Sequence, residues 1–171
     1  MAQDFFAILI DTLVAFRVDG WAHSVRKQLR QSPKFYIFDC GVLNAIRGEL
    51  KSELKTHSYR FGKLFESFIV QEIVRLNDYT EADYRLSYWR TNTGMEVDVI
   101  LSRGASQPPT AIEVKSSSAP VEEDVRPLKS FQMEYPKARL LCVSNSPRAY
   151  RLGEVMVYPW QEAFDFIFSS G

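Results

Sequence analysis

Histidine and cysteine are scarce in this chain of 171 residues, which has two of each. His23 and His57 stand alone, and without the Cys/His spacing that holds zinc both read as surface or structural residues. Cys40 and Cys142 lie in apolar runs, which suits buried thiols of a reduced, cytoplasmic protein better than a disulfide framework. Sequence alone leaves a bridge between them open. Net charge is missing as well, with 21 Lys and Arg against 21 Asp and Glu, so any pull on nucleic acid has to be local. No GxxxxGK[ST] phosphate loop is present, which excludes ATP hydrolysis by these residues. Long apolar runs are lacking too: DFFAILIDTLVAF is broken by Asp4 and Asp11, falls short of the roughly 20 residues a span needs, and has no basic leader. Membrane insertion and secretion are therefore not expected.

What the chain does have is the stretch Met95 to Ser118, MEVDVILSRGASQPPTAIEVKSSS. Two β-forming runs, 97–101 and 111–115, flank a Gly/Pro/Ser loop and predict a hairpin. A side-chain period of two puts Glu113 and Lys115 on one face of their strand and sends Ile112 and Val114 to the other. Asp98 can join them across the sheet. Two readings stand at this point: a solvated face with a cross-strand ion pair, or a cluster in which paired carboxylates share a proton or hold a divalent cation such as Mg²⁺.

Around this hairpin the pattern alternates. An amphipathic helix is expected from Phe5 to Phe16, a strand over 34–39, a short helix around 42–46 and a long helix over 59–76 with an apolar stripe. Glu66 stands on or beside that stripe, where it either pairs with Lys63 or Arg75 or is compensated by Lys115 or a metal. A half-exposed strand over 84–90 precedes the hairpin. Acids Glu122, Glu123 and Asp124 suggest the first turn of a helix bearing Val125, Leu128, Phe131 and Met133. The apolar run 139–144 predicts a central strand, 154–158 another, and AFDFIF a final helix. One α/β domain with a mixed sheet accommodates this order. The segment WAHSVRKQLRQSPK carries Arg26, Lys27, Arg30 and Lys34 without an acid, as a phosphate-contacting or simply solvated helix end.

Set in order, Glu66 in a helix, Asp98 in a strand and Glu113-Val114-Lys115 in the next strand resemble the restriction-endonuclease-like nuclease core, PD-(D/E)xK. More fully, PKFYIFDCGVLNAI, FGKLFESFIVQEI, GMEVDVIL and AIEVKSS are similar to the C-terminal domain of unknown function of bacterial and archaeal AAA+ family ATPases, over nearly the whole chain. The resemblance implies a restriction-endonuclease-like mixed β-sheet flanked by helices, with a helical connector over residues 1–32 and the nuclease-like domain over 33–171. It implies Asp98 and Glu113 as metal ligands with Glu66 as a third, Lys115 as the catalytic lysine, and Mg²⁺ or Mn²⁺ as cofactor. DNA is the implied partner, with Arg90, Arg103, Arg26, Lys27 and Arg30 as candidate phosphate contacts. One departure is Met95-Glu96, which stands where the superfamily often has proline. Glu96 shares the face of Asp98 by the period-two rule and is a further candidate near the metal. Full-length relatives carry a nucleotide-binding module upstream, so the chain reads as a fragment or truncated product whose N-terminal helix docks an ATPase module or a second copy. The expected function is a divalent-metal-dependent DNA phosphodiesterase, and its rival a catalytically silent DNA- or protein-binding domain that regulates an ATPase.

Overall fold

A computed structural model describes residues 2–21, 31–104 and 106–169. Eight strands form one mixed sheet: β1 (Ala15–Gly20), β2 (Lys34–Ile37), β3 (Arg85–Arg90), β4 (Glu96–Ser102), β5 (Thr110–Lys115), β6 (Arg139–Ser144), β7 (Tyr150–Leu152) and β8 (Val155–Pro159), in the spatial order β2, β1, β3, β4, β5, β6, β8, β7. Five helices accompany them among the described residues: α1 (Ala2–Asp11), α2 (Cys40–Ile46), α3 (Tyr59–Tyr79), α4 (Arg126–Glu134) and α5 (Trp160–Phe168). The mixed α/β architecture is thus the expected one.

The hairpin is present, with Val99 opposite Ile112, Ile100 opposite Ala111 and Leu101 opposite Thr110 in antiparallel register. From β5 the chain crosses over through α4 to β6, which lies parallel to it, and β6 is parallel to β8. Helices cover both faces of these strands, so β5 is buried on both sides from Thr110 to Val114. One core joins Phe65, Ile69 and Ile73 of α3 to Val99, Ile112 and Val114 and to Phe164 of α5. The other joins Leu128 and Phe131 of α4 to Val97, Ile100 and Ala111.

The two-residue period breaks within β4. Ser87 faces Ile100 and Trp89 faces Val97, so Tyr88 alone is opposed by Asp98 and Val99 together. This is a β-bulge, and it kinks the strand at Asp98. Val97 and Ile100, three apart, consequently enter one core while Val99 and Leu101 enter the other.

Three local expectations are corrected. The N-terminal helix ends at Asp11 rather than Phe16, because Ala15 to Gly20 form β1, which buries Ala15, Val18 and Gly20, pairs with β2 and lies parallel to β3. Leu13 makes the break at φ 59°. Glu122, Glu123 and Asp124 precede α4 instead of opening it; Pro127, with its fixed φ, occupies the first turn, and Asp124 accepts the Val121 N–H at 2.9 Å. Met133 is exposed, since at 100° per residue it points about 200° away from buried Phe131. Strand β7 had no expectation attached.

Both cysteines are free thiols, so the bridge left open by the sequence is absent.

Candidate functional site

Three elements meet at one end of the sheet. Helix α3 starts at the N-cap Ser58, whose hydroxyl accepts the Phe61 N–H at 3.1 Å, and is anchored by buried Leu64, Phe65, Ile69, Val70 and Ile73. Buried Gln71 ties it to β2 by donating to the Ile37 carbonyl at 2.8 Å. Past Ile112 the ladder between β4 and β5 gives way. There the Val114 N–H bonds to the carboxylate of Asp98, Oδ2, at 2.9 Å instead of to a backbone carbonyl. The bulge and this side-chain bond together open a cleft of about 310 Å³ between the strand ends and α3. Asp98, Glu113, Lys115 and Glu66 all line it, with His57 and Ser116 at its rim.

Glu113 and Lys115 share a face as expected, with Lys115 Nζ 2.8 Å from Glu113 Oε1. The solvated-face reading fails at Glu113, which is only 4% exposed. Its other oxygen, Oε2, is buried and has no hydrogen-bond partner among the described residues. Burial, and then repulsion by Asp98, push the Glu113 carboxyl up to about 8. Asp98 is raised to about 6, by burial first and by Glu66 second, against the pull of the Val114 N–H. Burial disfavours the Lys115 ammonium, yet the attraction of Glu113 and Asp98 outweighs this and lifts its pKa above the ordinary lysine value. The cleft thus gathers three carboxyl groups, Glu66, Asp98 and Glu113, against two lysines, Lys63 and Lys115.

Glu66 behaves differently. Lys63 Nζ sits 2.7 Å from Oε2, the Tyr36 hydroxyl donates to Oε1 at 3.1 Å, and Lys34 Nζ lies 3.6 Å away. Burial would raise its pKa, but these partners hold it below the usual glutamate value. The pairing with Lys63 read from the sequence is present; an Arg75 partner is not, since Arg75 binds Glu72 and the Phe38 carbonyl. Glu96 is engaged by Lys34 and Arg90.

Among the described residues no three His, Cys, Asp or Glu side chains are gathered into a cation cage. The donors that suit a hard divalent cation are Asp98 and the unpaired Glu113 Oε2, two carboxylates of the kind Mg²⁺ uses alongside water and phosphate oxygens.

The candidate phosphate contacts are scattered. Arg90 ends β3 beside Glu96, its guanidinium 5.6 Å from the Tyr88 ring centre, in a hollow adjoining the cleft. Arg103 lines a different cavity, with Glu81 and Tyr84. Arg26, Lys27 and Arg30 lie outside the described residues, as does His23. Tyr36 was missed as a site residue, and Lys34 was read only as part of a basic, phosphate-contacting or solvated segment, although the signal existed: two apart in β2, they share a face, and both reach Glu66. His57, exposed and held at φ 68°, carried no sequence signal.

The model of a domain of unknown function, DUF4143, matches residues 61–163. The chain belongs to the DUF4143 family. The three acids of the cleft, Glu66, Asp98 and Glu113, and its two lysines, Lys63 and Lys115, fall within the DUF4143 match. Two curated relatives are the uncharacterized proteins Mb2031c of Mycobacterium bovis and Rv2008c of Mycobacterium tuberculosis, each 28% identical over 156 residues, which is 91% of this chain and 34% of the relative. The chain thus spans about a third of the length of these relatives. No solved structure matches it. Among the described residues no helix is long and apolar enough to cross a membrane.

Proposed function

We propose that this DUF4143 chain is a divalent-metal-dependent DNA phosphodiesterase domain with a restriction-endonuclease-like, PD-(D/E)xK arrangement at the end of β4 and β5. The observation that carries the reading is Glu113, buried, tied to Lys115 through one oxygen and left unpaired at the other, in the same cleft as Asp98. A buried carboxylate oxygen without a partner is costly, and a proton or a cation relieves that cost. Asp98 and Glu113 would hold Mg²⁺ or Mn²⁺, with Glu66 as an outer support. When bound, such a cation polarises a phosphate and lowers the pKa of its water. The Lys115 ammonium, fixed by Glu113, would donate to a phosphate oxygen and offset the charge that grows on it during attack. Val114 orients Asp98 through its N–H, and the Lys63 and Lys34 ammoniums keep Glu66 ionised.

Curated relatives extend far beyond the matched segment. With no phosphate loop of its own, the domain would work beside an AAA+ ATPase module, docked through the N-terminal segment.

A second reading, a catalytically silent DNA- or protein-binding domain that regulates such an ATPase, is favoured by Glu66, both of whose oxygens are already engaged by Lys63, Tyr36 and Lys34. Plasmid, junction and single-stranded DNA incubated with the chain and Mg²⁺ or Mn²⁺ decide between them. Cleavage by wild type and not by Glu113→Ala supports the nuclease; equal nicking by both, or none by either, supports the silent domain.

A further inference from the structure

A second hollow, of about 320 Å³, opens directly beside the cleft and shares Lys63 and Glu66 with it. Four cations line this hollow, Lys34, Arg47, Lys63 and Arg90, against two carboxylates, Glu66 and Glu96, which leaves an excess of two positive charges in a chain of zero net charge. The cations are not randomly splayed. Lys34 is clamped between Glu66 and Glu96, and its ammonium lies 5.2 Å from the centre of the Tyr88 ring that also underlies Arg90. Lys63 is fixed by Glu66, one helical turn along α3. Such pairing reduces the side-chain entropy still to be lost when an anion arrives. Arg47 is exposed at the end of α2 and its guanidinium has no partner among the described residues, so it has full capacity for a new acceptor.

We infer that Lys34, Arg47, Lys63 and Arg90 form a phosphate track that carries the nucleic-acid strand away from the cleft, so that the backbone on one side of the reacting phosphate lies over β2 and the start of α3. The inference rests on the reading of the cleft as a phosphodiester site. It locates the otherwise absent nucleic-acid attraction in one hollow, where phosphates replace released counterions. It also gives Glu96 a role, as the acid that fixes Lys34 and Arg90 at the track.

Fluorescence anisotropy with short single-stranded and duplex DNA oligonucleotides, in EDTA so that no strand is cut, tests it. Arg47→Ala and Arg90→Ala should each weaken binding about three- to tenfold at low salt and lower the log–log salt slope by about 0.7 to 0.9. Arg47→Glu should weaken it further. Arg126→Ala, at an exposed side chain of α4, should leave affinity and slope unchanged. Arg47 is exposed and its side chain makes no hydrogen bond or ion pair among the described residues, so its variants report on binding without a folding defect. Failure of the wild type to bind either oligonucleotide, or wild-type affinity and slope in the Arg47 and Arg90 variants, overturns the track. If these variants bind normally while Glu113→Ala alone abolishes cleavage, the track fails and the phosphodiesterase stands. If nothing cleaves but binding falls in the Arg variants, the track stands without the chemistry.

Discussion

Val114 donates its backbone N–H to Asp98 Oδ2 at 2.9 Å, so a side chain takes the place of a ladder carbonyl where β4 and β5 separate. This bond makes Asp98 both a structural cap and a candidate ligand. Asp98→Asn keeps an acceptor for Val114 and removes a charge that burial and Glu66 both disfavour, so its thermal stability should equal or exceed that of the wild type. Asp98→Ala leaves the N–H unpaired and should cost about 1 to 3 kcal/mol in chemical denaturation. Equal stabilities for the two variants would show that the bond contributes nothing.

Stability should fall as pH rises across the neutral range. Glu113 is raised from 4.5 to about 8 in the folded state, so the native protein holds a proton that the unfolded chain has already released. That stabilisation is fully present below about 4.5 and is lost as pH climbs through 8, with a slope of at most about 1.4 kcal/mol per pH unit. Urea denaturation from pH 6 to pH 9 should show the decline, and Glu113→Gln should flatten it. A Glu113→Gln profile parallel to that of the wild type would remove Glu113 as its source.

Lys115→Gln should separate binding from chemistry. The ammonium stands 2.8 Å from Glu113 and faces the cleft, so its loss should lower single-turnover cleavage by about 100-fold or more while leaving DNA affinity within a few-fold. A matched loss of affinity and rate would mean that Lys115 only binds.

Thiol reactivity checks the core. Burial pushes Cys142 up to about 12, and Cys40, half-buried and bonded to Gln71, is raised as well. Native protein treated with iodoacetamide should show no modification at Cys142 and slow modification at Cys40 by mass spectrometry. Both should react promptly in urea. Rapid native labelling of Cys142 would contradict the packing of β6.

Much of the site was legible because it obeys periodicity. The ammonium and carboxylate of Glu113-Val114-Lys115 meet as a two-residue repeat demands, and α3 places Glu66 three residues from Lys63 as a helix demands. The bulge at Asp98 was not legible, because it arises where Tyr88 faces two residues of β4, and no local run of residues encodes a mismatch between strands. Strand β1 was hidden for a related reason. Phe16 continues the helical spacing of Ile8, Leu9, Thr12 and Leu13, and only pairing with β2 and β3 shows that it belongs to a strand. The links from Lys34 to Glu66 and Glu96 bridge three elements, which places them beyond any short-range pattern.

The most direct test of the cleft is a Mn²⁺ titration at pH 8, followed by electron paramagnetic resonance on wild type, Glu113→Gln and Asp98→Asn. The predicted result is a Mn²⁺ ion bound by wild type, weakened at least tenfold in each variant, and released as pH falls through the range where Asp98 and Glu113 take up protons. Binding that is unchanged in both variants, or no binding by the wild type with or without DNA, would contradict a metal site built on Asp98 and Glu113.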